Sequence, residues 1–265
     1  MYKYGFIGMG NMGSAMLSSL AKKYGTDRLV FAEHDTERMK AKSEETGVSY
    51  LESNVEVVKK SKYVVLAVKP VVYEEVFREI KEALEYDNVI ISIAPGITVD
   101  KLKSMAGGDV RIVRAMPNTP AMVEEGMTGV CFDENEFSDT EIRDIEGFFN
   151  SFGKMCRVDE KLMSAVTCAS GSSPAYVYMF IEALADSVVK YGMPRAMAYE
   201  FVAQTVLGSA KMVMETGEHP GKLKDNVCSP GGTTIAAMEA LEENGMRNAL
   251  YKATEKCYRK CEHLD

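Results

Sequence analysis

The string Gly8-Met-Gly-Asn-Met-Gly13 constrains the fold more than any other part of the chain. It directly follows a strand-like run at residues 3–7 (KYGFI) and opens a helical run at 12–23. Only glycine lets a backbone approach a diphosphate closely, and a helix start offers unpaired N–H groups to its charge. Strand, glycines and helix in this order begin a dinucleotide-binding βαβ unit. A tight packing turn without ligand would use the same residues, so the surrounding pattern has to support the reading.

It does so over the first 160 residues. Short β-branched runs at 28–32, 63–68, 89–93 and 111–115, with weaker ones at 129–132 and 154–158, predict strands. Helical stretches lie between them at 36–46, 54–60, 71–85 and 99–105, and Ser138 with Glu141 forms a capping box for a helix reaching about 152. Runs such as YVVLAV and VIISIA are apolar on both faces, as in a parallel sheet covered on each side. The expected fold is therefore an α/β Rossmann-type doubly wound domain over 1–160. After Glu160 the strand signal stops. Pro174 and Pro194 fit the first position of helices at 174–191 and 194–216, and helices at 233–244 and 245–261 follow. This predicts an all-α C-terminal domain over 161–265. On its helix 175–191, Glu182, Asp186, Ser187 and Lys190 form one narrow polar stripe, so nearly the whole circumference needs covering. Subunit association through this half is expected.

Composition narrows the function classes. With 39 acidic against 31 basic residues the net charge is −8, and no Lys/Arg block stands out, which argues against nucleic-acid and anionic-membrane partners. Residues 162–181 carry no charge, but Ser164, Thr167, Ser170, Gly171, Ser172, Ser173 and Pro174 interrupt them, so no membrane span is expected. The apolar start resembles a leader, yet Gly8, Gly10, Asn11 and Gly13 break the stretch a leader needs. Six scattered cysteines without C-x-x-C read as reduced thiols, and a cytoplasmic location is expected. His34, His219 and His263 are isolated and H-E-x-x-H is absent, which removes zinc and triad hydrolases.

Four further segments carry candidate chemistry. Glu33 lies twenty residues past Gly13, where it is either an ordinary surface glutamate or the carboxylate that binds the adenosine ribose of NAD and repels the 2′-phosphate of NADP. Ala67-Val-Lys-Pro70 and Ser92-Ile-Ala-Pro-Gly96 end strands at the carboxyl edge, where Lys69 could face a phosphate or ribose. In Ala115-Met-Pro-Asn-Thr-Pro-Ala121, Asn118 is either a ligand or part of a rigid turn. Asn226-Val-Cys-Ser-Pro-Gly-Gly-Thr-Thr234 precedes a helix. Gly231 and Gly232 strip its N-terminus of side chains, while Thr233 and Thr234 add hydroxyls, as suits a carboxylate-sized anion. A glycine/serine turn is expected at 169–174.

GFIGMGNMG, AVKP, RAMPNTPA, SGSSPAYVY and above all DNVCSPGGTTIAAMEALEENG resemble pyrroline-5-carboxylate reductases over nearly the whole chain. The resemblance implies reduction of a cyclic imine carboxylate to L-proline with NADPH or NADH. It also implies a homodimer through the C-terminal helices, assembled into decamers. By matching motif, Ile7, Gly8, Met9, Gly10, Asn11, Met12, Gly13 and Asn54 would contact the cofactor. Ala67, Val68, Lys69 and Pro70 would line its nicotinamide half, with Asn118 nearby and Asn226 reaching it from the second domain. Ser229, Gly231, Gly232, Thr233 and Thr234 would hold substrate, Thr234 as the catalytic group at the ring nitrogen and Glu160 close by. The chain departs from the family at Glu33-His34-Asp35, where hydroxyl or basic residues are usual, and at Pro95 and Ser173. Two rival readings stay open: a 3-hydroxyacid dehydrogenase, which needs a Lys or His base, and a nucleotide-binding sensor without catalysis.

Overall fold

Apolar residues alternate between two helix-covered faces along the first strands, and this sets the architecture. In the computed structural model, which describes residues 1–262, eight strands form one sheet in the order β3-β2-β1-β4-β5-β6-β7-β8. They are β1 (Tyr2–Ile7), β2 (Leu29–Ala32), β3 (Ser49–Tyr50), β4 (Ser61–Leu66), β5 (Val89–Ser92), β6 (Arg111–Met116), β7 (Gly126–Cys131) and β8 (Gly153–Arg157). Helices α1 (Asn11–Tyr24), α2 (Thr36–Thr46), α3 (Asn54–Lys60), α4 (Tyr73–Ile80), α5 (Val99–Ala106) and α6 (Asp139–Phe149) connect them. Tyr4, Phe6, Tyr63 and Val65 point into a core shared with α1 and α6, where Leu17, Phe148 and Phe149 lie. Ile7, Val64 and Leu66 point the other way, against Val57, Phe77 and Leu102 of α3, α4 and α5. Strands covered on both faces are what the doubly wound reading requires.

The first six strands of the order are parallel, but β7 runs antiparallel to β6. The reason is the connection: only a short 3-10 turn, Thr119–Val123, joins them, and a parallel pair needs a crossover of about a dozen residues or more. β8 then pairs parallel with β7 after α6. The two-residue β3 has no periodicity to reveal it, and β4 ends two residues before the expected 68. The stretch at 71–85 is a helix only over α4, flanked by 3-10 turns at Pro70–Val72 and Lys81–Ala83. The Ser138/Glu141 capping box is present in both directions.

α7 (Met163–Val166) runs into a π-helical turn, Thr167–Gly171, where a glycine/serine turn was expected. Hydroxyls turn inward here: Thr167 donates to the Met163 carbonyl at 2.9 Å and Ser170 to the Val166 carbonyl at 3.0 Å. Back-bonding of this kind accompanies locally distorted helix. The remaining helices are α8 (Ser173–Val189), α9 (Arg195–Thr216), α10 (Pro220–Val227), α11 (Thr233–Glu243) and α12 (Met246–Cys261). Pro174 is the second residue of α8, and Pro194 is the N-cap of α9 with extended backbone, so neither holds the first helical position. α10 is unforeseen: Pro220 opens it and the His219 ring accepts the Gly221 N–H at 3.0 Å.

The described chain divides into two compact units, residues 1–172 with 258–262, and residues 173–257. The second contains a small core of Ala185, Ala198 and Val202 between α8 and α9. No helix among the described residues is long and apolar enough to cross a membrane. His263 lies outside the described residues.

Candidate cofactor and substrate sites

In the first unit the glycine loop sits at the carboxyl edge of β1, where each glycine answers a different demand. Gly8 has φ +95°, and a Cβ there would lie 2.6 Å from Val68 Cγ1 and 3.0 Å from the Ala67 carbonyl oxygen. Gly8 N–H donates to Ala32 O and Ala67 N–H to Ile7 O, both at 2.9 Å, so the loop is laced to its two neighbours. At Gly13 a Cβ would meet the Gly8 carbonyl oxygen at 2.5 Å. Gly10 is different: it is the N-cap of α1, no side chain caps the helix, and a Cβ would find nothing within 4 Å. An uncapped helix start facing open space is a cradle for an anion, and the residues present fit a dinucleotide diphosphate. Asn11 is exposed beside it, Met12 is half-buried and Met9 is buried.

Glu33 closes the loop from β2. Its Oε2 accepts the Met9 N–H at 2.8 Å and its Oε1 the Asp35 N–H at 3.3 Å. Across the edge, Ala67 and Val68 are half-buried, while Lys69 and Pro70 are exposed, Lys69 on extended backbone and Pro70 opening a 3-10 turn. Behind them the buried Tyr73 hydroxyl donates to the Leu66 carbonyl at 2.8 Å and lies 3.2 Å from Ser92 Oγ. Burial pushes its pKa up to about 12, so it remains a neutral donor. Tyr73 joins the ends of β4 and β5 and was not foreseen; nothing in an amphipathic helix marks one tyrosine as a brace.

Three expected ligands have partners inside the fold. Asn54 Nδ2 donates to Glu79 Oε2 at 2.8 Å. Asn118 is buried, accepting the Met127 N–H at 2.9 Å and donating to the Ser170 carbonyl at 3.0 Å, the arrangement of the rigid-turn alternative. Glu160 Oε1 accepts from Val99 N–H at 2.7 Å and from Arg114 Nη1 at 2.8 Å, capping α5 and neutralising a buried guanidinium. Glu160 borders a cavity of about 560 Å³ whose rim also carries Asp100, Asp133 and Asp159 against Arg157.

The second unit has its own bare helix start. Gly232 N–H donates to Ser229 O at 3.0 Å, with Pro230 and Gly231 (φ +67°) between them, as in a type II turn. Gly232 is the N-cap of α11, again without a side-chain cap, and Thr233 and Thr234 are its first residues. The start opens on a cavity of about 530 Å³ lined by Lys224, Gly231, Gly232, Ile235 and Glu239, among others. Asn226 is exposed in the last turn of α10.

A Rossmann-type sheet with an uncapped glycine loop, followed by a helical unit with a second bare helix start, defines a two-part dinucleotide-dependent oxidoreductase. Residues 160–264 match the family described as pyrroline-5-carboxylate reductase dimerisation, and residues 3–96 the family described as NADP oxidoreductase coenzyme F420-dependent. The chain is 46% identical to the pyrroline-5-carboxylate reductase of Escherichia coli K12, covering 99% of this chain and 98% of that one. It is 40% identical to that of Pisum sativum, over 95% and 92% of the two chains. The crystal structure of Plasmodium falciparum pyrroline carboxylate reductase with NADP bound superposes with a TM-score of 0.89 at 35% identity, covering 99% and 98%. The chain belongs to the pyrroline-5-carboxylate reductase family, whose members are NAD(P)H-dependent oxidoreductases that associate through the C-terminal domain.

Proposed function

We propose that this chain reduces 1-pyrroline-5-carboxylate to L-proline, the last step of proline biosynthesis, in the cytoplasm. The observation that carries the reading is the pair of helix starts, at Gly10 and Gly232, that have no side-chain cap. One suits a diphosphate and the other a small carboxylate. In this reading residues 1–160 bind the dinucleotide and 161–265 bind substrate and form a homodimer, further assembled into a decamer. NADPH or NADH, when bound, supplies the hydride.

The chain's own residues do the positioning. Gly8, Gly10 and Gly13 keep the α1 N–H groups of Asn11 and Met12 open to the diphosphate, with Ile7 and Met9 shaping the loop. Ala67, Val68, Lys69 and Pro70 line the nicotinamide half, and Asn54 and Asn226 add amide contacts. Asn118 and Glu160 enter as braces of the loops that border the site. Gly231, Gly232 and the α11 amides hold the carboxylate together with Ser229 and Thr233, while the Thr234 hydroxyl bonds the ring nitrogen as it becomes an amine. An imine already protonated on nitrogen needs no strong acid from the protein, so rate comes from juxtaposition.

The dehydrogenase alternative needs a base that takes a hydroxyl proton. Lys224 is the basic side chain lining the α11 cavity, and its hydrogen bond to Asp225 raises its pKa, so it keeps its proton. The test follows NADH and NADPH oxidation in parallel with synthetic pyrroline-5-carboxylate. Thr234→Ala is expected to lower turnover on the order of 100-fold while coenzyme affinity stays within about twofold. Unchanged turnover in a folded Thr234→Ala enzyme would remove the hydroxyl from the mechanism.

A further inference from the structure

A charge is fixed against the cofactor loop. The Glu33 side chain is only 3% exposed, and Oε2 holds the N–H of Met9, the residue between Gly8 and Gly10. Met9 is itself 2% exposed, so if the carboxylate swung away a buried N–H would lose its acceptor. The Asp35 N–H fixes the other oxygen. Two cationic or titratable groups face it: His34 Nδ1 at 2.6 Å from Oε1, and Arg38 Nη1 at 3.8 Å from Oε2. Both stand on solvated side chains, 90% and 48% exposed, and Arg38 also reaches Asp35 at 3.8 Å. Exposed partners of this kind offset a fixed charge weakly.

We infer that Glu33 sets coenzyme choice in this chain: its anchored carboxylate accepts the ribose 2′-hydroxyl of NADH and repels the 2′-phosphate of NADPH, so NADH is preferred. The carboxyl end of β2 is where the adenosine ribose of a Rossmann-bound dinucleotide lies. A mobile glutamate there could turn aside for a phosphate. This one cannot without undoing the loop that cradles the diphosphate, so loop clamp and charge filter are the same group. The inference rests on the dinucleotide reading of the first unit and not on the identity of the imine.

The two roles separate by substitution. Glu33→Gln keeps a carbonyl oxygen for the Met9 N–H and removes the charge, whereas Glu33→Ala removes both. NADH and NADPH are titrated calorimetrically against the full chain without imine, and the melting temperature is recorded for each variant. The unmodified chain is expected to bind NADH at least tenfold more tightly than NADPH. Glu33→Gln should shrink that ratio at least tenfold with little change in melting temperature, and Glu33→Ala should weaken both coenzymes and lower the melting temperature. Equal or tighter NADPH binding by the unmodified chain, or an unchanged ratio in Glu33→Gln, would overturn the inference. Binding of neither coenzyme would overturn it together with the dinucleotide reading. NADH preference without imine reduction would leave it standing and remove the reductase reading.

Discussion

The two units bury their apolar residues in different ways. In the first, Tyr4, Phe6, Phe31, Phe77 and Phe148 are all below 2% exposed, on both faces of one sheet, and each helix needs only one side covered. In the second, the buried hydrophobics are two alanines and a valine, while Tyr178, Met179, Phe201 and Met214 are each between 58% and 72% exposed. Apolar area of that extent on an ordered helix pair marks an association surface, in keeping with the dimerisation-family match over these residues. The first unit therefore carries its own core, whereas the second has a small one and leaves apolar area available for association. Stability and concentration should be coupled through the second unit alone.

The largest expected effect breaks that coupling. Met179 is 72% exposed on α8, so Met179→Glu leaves the single chain's packing intact but puts an unpaired carboxylate into the associated surface. The association constant should fall roughly 100-fold, equivalent to about 3 kcal/mol. Light scattering across a concentration series reads this directly. An unchanged mass at low micromolar concentration would mean that α8 is not the associating face.

A second change acts on the first unit only. Arg111 donates to Glu141 Oε1 at 2.8 Å and to the Asp87 carbonyl at 2.9 Å, and lies 5.5 Å from the rings of Tyr86 and Phe137. Burial by itself would raise the Glu141 pKa. The Ser138 N–H, Lys62, Arg111 and the Ser138 hydroxyl outweigh it and hold it at about 2. Because the folded pKa lies below the unfolded one, the contribution is complete above about pH 4.5 and is lost as pH falls towards 2. Glu141→Gln should cost about 3 kcal/mol at neutral pH by leaving Arg111 uncompensated, and should flatten the acid limb of stability. Urea unfolding between pH 2 and 7 measures both. A parallel acid limb in the variant would assign the acid sensitivity to other carboxylates.

What could be read from the sequence was local. The bounds of α2 and α3 follow from Asp35 and Ser53, whose side chains accept the Arg38 and Glu56 N–H groups at the helix starts. The apolar girth of α8 was visible because it is a property of one segment. The direction of β7 was not, since it depends on how short the link from β6 is. The bonds of Asn118 and Glu160 are hidden in the sequence because residue type is visible and partner is not. Their partners lie up to 52 and 61 residues away. Glu33 shows the same limit from the other side: its position after β2 is visible in the sequence, but its bond to the Met9 N–H, 24 residues back, is not.

The smallest effect separates a glycine that serves the fold from one that serves the ligand. At Gly13 an added methyl would sit 2.5 Å from the Gly8 carbonyl oxygen and 3.0 Å from Ala67 Cβ, so Gly13→Ala should destabilise the first unit by about 1–3 kcal/mol. At Gly10 φ is −68° and nothing lies within 4 Å, so alanine meets neither strain nor collision and stability should stay within about 0.5 kcal/mol. The open space is nevertheless where a diphosphate would rest on the α1 N–H groups. Gly10→Ala should therefore weaken coenzyme binding about tenfold, or about 1.4 kcal/mol, with an unchanged unfolding curve. Equal coenzyme affinity in Gly10→Ala would show that the space in front of α1 is not occupied by the ligand, however closely the loop's neighbours fit. A stability loss there comparable to Gly13→Ala would mean that the loop is packed more tightly than its geometry indicates, and that the division between fold and ligand at this helix start is misplaced.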